Sequence, residues 1–201
     1  MKTHLVAALI GGLLYAPIAS ADKSKTAITE DRISLFKVPL QCAAAPQIGC
    51  GGAAKPILLQ LEREPGVIEA WLNRAGTRIA VVWKPESDAG TRRKVAEKLK
   101  EDDATEIQGN LRDESLKDFL SGKGWYRGAD VSRLSEEEAG IIAARLVRWV
   151  RAKTVLAKDK AESFQRALTD AMRKDLTGES VGPSHLEDAA DVAREYLDQE
   201  Q

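Results

Sequence analysis

The residues of this chain best suited to chemistry are its two cysteines, Cys42 and Cys50. They are separated by seven residues in the stretch LQCAAAPQIGCGGAAKPILLQLEREPGV, residues 40–67. A thiolate is the ligand that soft metals such as Cu(I), Hg(II) or Zn(II) require. Two thiolates can hold Cu(I) or Hg(II) linearly if the loop lets them converge, but a closed tetrahedral zinc site needs further ligands. The same pair could instead form a disulfide, stabilising by about 2–3 kcal/mol if unstrained. Cys50 stands just before an expected helix, whose positive end should lower its thiol pKa. Redox cycling is the weaker reading, because thiol oxidoreductases usually use C-x-x-C.

Few other residues compete for a chemical role. His185 is the sole histidine beyond residue 21 and reads as a bystander at the start of the last helix. Met172 is the sole methionine there, so no methionine-rich copper tract exists. There is no P-loop, dinucleotide fingerprint, nucleophile elbow or HExxH motif. Glu62, Glu64 and Glu69 flank Pro65-Gly66 and read as a solvated face. The chain therefore reads as non-enzymatic.

Composition narrows the partners. With 201 residues and 43% hydrophobic content, the chain can form one or two domains with a real core. A formal charge of -1 gives no whole-protein argument for nucleic acid or a membrane surface. At 5% aromatic content a base-stacking platform is not expected, and no nucleic-acid partner is inferred.

Residues 1–21 read as a secretory signal peptide. Lys2 supplies the positive start, residues 5–14 the apolar run, and Ala19-Ser20-Ala21 the cleavage site, with cleavage after Ala21. The apolar run is short of the ~20 residues a spanning helix needs. The expected mature protein is periplasmic or secreted, without stable membrane insertion. An oxidising compartment strengthens the disulfide alternative for Cys42 and Cys50.

The elements that must position the cysteines follow from periodicity. Residues 22–31 read as a flexible arm, and residues 33–38 as a strand ended by Pro39. After the cysteine loop, Ala54, Ile57, Leu58 and Leu61 form one helical stripe, from a start near Gly52 or Ala53 that leaves Pro56 near the first turn. Pro65-Gly66 stops this helix. Strands are expected over 67–72 and 77–83, with Asn73 to Gly76 as the turn between them. Ile79, Val81 and Trp83 share one face of the second strand and Ala80 and Val82 the other, so both its faces should be covered. A helix over 88–101, with Arg92, Arg93, Lys94 and Lys98 on a solvated face, leads to a final strand over 104–108. The order βαββαβ is that of ferredoxin-like domains.

Beyond residue 109 the reading is helical. A short helix over 113–120 precedes a glycine-rich linker, 122–128, whose Trp125 and Tyr126 are expected to pack between the halves of the chain. Ser135 and Glu138 match a capping box, and the next helix should bury Ala139, Ile142, Ala143, Leu146 and Val150. It is expected to continue or break near Lys158-Asp159 into a segment carrying Phe164, Leu168, Met172 and Leu176. Gly178 reads as a helix stop and Gly182-Pro183 as a break. A second capping box, Ser184 with Glu187, opens a last helix bearing Leu186, Ala190, Ala193 and Leu197.

The run Cys50-Gly51-Gly52-Ala53-Ala54-Lys55, then Leu58, Leu61 and Pro65-Gly66-Val67, resembles the heavy-metal-associated domain. That family includes copper chaperones and periplasmic mercury-binding proteins. The resemblance covers residues 33–108 and implies a ferredoxin-like fold, soft-metal binding and a metal-transfer partner. Cys50 aligns with the family's first cysteine. Ala53 stands at the second, and Ile48-Gly49 replaces the usual Met-Thr.

The sequence thus reads as an exported α+β protein, a ferredoxin-like βαββαβ sandwich over residues 32–109. A linker over 110–134 and a helical C-terminal extension over 135–201 follow. Its function reads as binding, with Cys42 and Cys50 as ligands for Cu(I), Hg(II) or Zn(II). The alternative is a disulfide-stabilised interaction module whose protein partner contacts the loop or the C-terminal helices.

Overall fold

The computed structural model describes residues 28–177. The expected signal peptide and its cleavage site, Gly178, Gly182-Pro183, the Ser184–Glu187 box, His185 and the last helix lie outside the described residues.

The fold is α+β, and the five strands among the described residues form one antiparallel sheet in the order β4-β1-β3-β2-β5. These are β1 (Ile33–Lys37), β2 (Val67–Asn73), β3 (Arg78–Trp83), β4 (Thr105–Glu106) and β5 (Trp125–Arg127). Among the described residues five α-helices accompany them: α1 (Gly51–Glu62), α2 (Ala89–Lys100), α3 (Asn110–Leu120), α4 (Ser132–Arg151) and α5 (Lys158–Thr177). Helix α2 is capped by Asp88, whose carboxylate accepts from Thr91 N at 2.7 Å.

Strand β3 explains the layering. Alternation sends successive side chains to opposite faces. Ile79, Val81 and Trp83 join Ala54, Leu58 and Leu61 of α1 and Val95 and Leu99 of α2 on one face. Ala80 and Val82 join Leu116 and Phe119 of α3 and Trp125 on the other. A sheet covered on both faces needs β3 apolar throughout, as its sequence is. Trp83 is fully buried, its indole N–H donates to Ser34 Oγ at 3.0 Å, and the Arg92 guanidinium lies 5.6 Å from its ring centroid. Arg92 thus leaves the solvated face expected for it, while Arg93, Lys94 and Lys98 are exposed.

Within the stretch read as a linker, residues 125–127 become an edge strand on β2. Trp125 packs with Phe119 edge-to-face at 5.1 Å, and Phe119 in turn meets Trp71 at 6.1 Å. Pro56 sits six residues into α1, not in its first turn. It costs the helix one backbone hydrogen bond, the one Gly52 C=O would accept.

Helices α4 and α5 form a hairpin with its own cluster around Val147, Val150, Phe164 and Leu168. The chain breaks between them over residues 152–157. The expected phase of α4 is half right. Ala139, Ala143 and Val150 are buried, but Val147 replaces Leu146, which is 38% exposed. The stripe at 143, 147 and 150 packs with Phe164 and Leu168 of α5, Leu146 lies off it, and Ile142 is half-buried against the sheet core. Among the described residues no helix is long and apolar enough to cross a membrane.

Candidate functional site

The cysteine loop is a small paired excursion between β1 and α1. Cys42 N donates to Ile48 O (2.9 Å) and Cys50 N to Leu40 O (2.8 Å), around an antiparallel bridge between Gln41 and Gly49. In this register Cys42 opposes Ile48 and Cys50 opposes Leu40, so the cysteines are diagonal neighbours on one face. Ala45 and Ile48 anchor the loop in the core at 0% exposure.

The loop rests on the β2–β3 turn. Asn73 Oδ1 accepts from Thr77 N and Arg78 N, closing that turn at Gly76, whose φ is +70°. A Cβ on Gly76 would lie 2.4 Å from Leu40 O, so glycine is required there for conformation and for space. Gly49 N donates to Arg74 O and Leu40 N to Gly76 O, tying loop and turn together. Arg145 of α4 donates to Ala44 O at 2.6 Å and holds the loop's other side.

Cys50 is the N-cap residue of α1. The anion at this helix N-terminus is nevertheless Glu138 of α4: Gly51 N donates to its Oε2 at 3.1 Å, and its side chain is 1% exposed. The expected capping box is therefore corrected. Helix α4 begins at Ser132, Ser135 lies inside it, and no side chain caps Val131. Ser135 and Glu138 are instead buried against the first turn of α1. Gly51 makes that approach possible, because a Cβ there would meet Ser135 Oγ at 2.2 Å and Val131 O at 3.0 Å.

The electrostatics reverse the expectation for Cys50. Burial pushes its thiol above the ordinary range, and the Glu138 charge and hydrogen bonding add to the rise. The nearby amides of Ala53 and Gly52 pull the other way and lose. Burial also raises the Cys42 thiol, again assisted by hydrogen bonding to Glu138 and by its charge. A buried carboxylate, Glu138, occupies the positive helix end where a thiolate was expected.

The structure thus gathers both sequence-predicted residues, Cys42 and Cys50, with Glu138, which sequence reasoning assigned to another task. The pattern Ser135-x-x-Glu138 was the available signal, but its partner lies 87 residues away. Both cysteines are free thiols, Cys42 buried and Cys50 half-buried. Among the described residues no three His, Cys, Asp or Glu side chains are gathered so as to hold a metal ion. Chemically, the arrangement offers two neutral thiols beside one buried carboxyl group, with access through Cys50.

Next to the site, Glu137 accepts from Arg74 Nε at 2.7 Å and from the Tyr126 hydroxyl. Burial, with hydrogen bonding to Glu137, pushes the Tyr126 phenol up to about 12. Burial acts to raise Glu137 as well, but Tyr126 and Arg74 outweigh it and hold the carboxyl below its usual range. Comparison of the chain with protein-family models, curated proteins and solved structures finds no match.

Proposed function

We propose that the chain is an exported, non-enzymatic binding protein whose Cys42–Cys50 loop takes a soft, thiophilic ion in its reduced state. The observation that carries this reading is the register of the loop: two thiols on one face as diagonal neighbours. Diagonal pairs stand about 7–8 Å apart, with Cβ atoms somewhat closer. A disulfide needs Cβ atoms about 3.5–4.5 Å apart. Two metal–sulfur bonds end to end hold the sulfurs well beyond the S–S bond length of about 2.05 Å and bridge the wider gap with less backbone movement. A two-coordinate ion such as Cu(I) or Hg(II) suits two thiolates, whereas zinc requires additional ligands. Metal entry must displace the thiol protons, and the raised thiol pKa values make that displacement harder at low pH.

A ferredoxin-like domain resembling the heavy-metal-associated family belongs to the same proposal. Supporting it are the βαββαβ order of the first six elements and the adjacency β4-β1-β3-β2, to which β5 adds an edge. A second reading, a disulfide-stabilised interaction module, requires the two cysteines to close in against the grip of Arg145 and the β2–β3 turn on the loop.

Counting thiols and metal separates the two. Protein from an exported preparation, purified without reductant, is titrated for free thiols, then reduced anaerobically and exposed to Cu(I) or Hg(II). About one equivalent retained after desalting, lost in both Cys42→Ser and Cys50→Ser, is the expected result. No free thiol before reduction and no metal retained afterwards would replace it with the disulfide reading. Free thiols that hold no metal would sink both.

A further inference from the structure

We propose that the α4–α5 end of the molecule docks on the surface of an anionic lipid bilayer. Residues 139–158 contain no Asp or Glu and five basic residues, Arg145, Arg148, Arg151, Lys153 and Lys158. Four of these lie in the last two turns of α4 or in the turn that follows. Arg148, Arg151 and Lys153 are exposed, and among the described residues no carboxylate pairs with them. A helix C-terminus attracts cations, which accounts for some basic residues there. It does not account for the apolar side chains among them.

Trp149 is 64% exposed and Val155, at the tip of the turn, 96%. Both adjoin buried neighbours, Val150 and Leu156, that close the hairpin core. The core therefore has its apolar residues, and Trp149 and Val155 are additional to it. Leu146 flanks Trp149 one turn earlier and is 38% exposed. The other three tryptophans, Trp71, Trp83 and Trp125, are buried or half-buried.

Protruding apolar tips ringed by unpaired cations match the interface of an anionic membrane. Indole rings favour the headgroup level, and basic side chains are drawn to the negative surface. Over residues 139–158 the charge is of one sign, with Asp159 the first carboxylate beyond it. Val155 projects from the turn, whereas Trp149 stands on α4, where with Leu146 and Arg145 it borders an apolar recess against Ala43 and Ala44. The whole-protein charge of -1 hides this patch, because the balancing carboxylates lie elsewhere in the chain. The inference is independent of any role for Cys42 and Cys50.

Cosedimentation with vesicles tests it. The protein is mixed with vesicles of phosphatidylglycerol and phosphatidylcholine, or of phosphatidylcholine alone. All variants share one N-terminus, so only differences between them count. Expected are pelleting with the anionic vesicles, loss of pelleting on raising salt, and a blue shift of tryptophan emission. The Trp149→Ala and Val155→Ser variants should bind less and unfold at the parental temperature. Combined Arg148→Gln and Lys153→Gln should weaken partitioning about 30-fold, from about 1 kcal/mol for each basic residue near the surface. Equal pelleting with neutral vesicles, equal binding by all variants, or no pelleting at all would overturn the proposal. So would capture of an acidic protein through Trp149 with no vesicle binding.

Discussion

Two adjacent glycines at the start of α1 should respond in opposite directions to the same substitution. A Cβ on Gly51 would lie 2.2 Å from Ser135 Oγ, 2.9 Å from Ser135 N and 3.0 Å from Val131 O. The hydroxyl could rotate, but the two backbone atoms belong to the start of α4 and move only if the helix moves. Overpacking of this kind costs about 1–3 kcal/mol. Displacing α4 also stretches the Gly51 N–Glu138 hydrogen bond, and losing a buried bond of this type costs about 1–3 kcal/mol. Alanine recovers about 0.5–1 kcal/mol of helix propensity. Gly51→Ala should therefore destabilise by about 2 kcal/mol or more on these combined terms. At Gly52 the nearest atom to a new Cβ is Leu176 O at 3.7 Å, an ordinary contact. Gly52→Ala should stabilise by up to about 1 kcal/mol. Thermal unfolding of both variants, followed by circular dichroism, should place their midpoints about 6–12 °C apart, Gly51→Ala below. A Gly51→Ala protein as stable as Gly52→Ala would refute the packing of α4 against α1, and with it the placement of Glu138 beside the cysteines.

The thiols provide a pH test. Because burial and Glu138 raise both pKa values in the folded protein, native thiols should alkylate more slowly with iodoacetamide near neutral pH than unfolded ones, and Glu138→Gln should speed the reaction. The sign for stability follows: the thiol contribution is present below the ordinary thiol pKa and lost as pH rises through the raised folded value, so the denaturant midpoint should fall on the alkaline side. Ultraviolet titration should find Tyr126 ionising near pH 12, and Glu137→Gln should bring it down by removing the anion at its hydroxyl. Asn73→Ala removes the acceptor of two backbone N–H groups and a bond to Thr77 Oγ1; it should cost about 1–3 kcal/mol by denaturant unfolding. Thiol reactivity should rise with it, since the same turn supports the cysteine loop.

Local periodicity determined a good deal of this protein. The two-faced apolar content of β3, the stripe Ala54, Leu58 and Leu61 on α1, and the stop at Pro65-Gly66 are properties of neighbouring residues. Burial of a strand or helix face must follow a period of 2 or 3.6 whatever covers it. The six elements from β1 to β4 were legible for that reason, and both cysteines fall in the one loop between β1 and α1.

What remained hidden depended on contacts remote in sequence. Trp125–Arg127 reads as a loop because three residues between glycines carry no period; only the free edge of β2 made them a strand. The α4 stripe expected through Leu146 runs through Val147 instead, because packing against α5 selects that face and leaves Leu146 and Trp149 outside. Ser135-x-x-Glu138 has the spacing of a local cap. A helix N-terminus elsewhere in the chain offered Glu138 a buried N–H, and the carboxylate satisfied that one instead. The state of Cys50 followed from this choice. The sequence placed a thiol at a positive helix end, and tertiary structure set a carboxylate beside it, so burial and like charge decided the protonation that the dipole alone would have reversed.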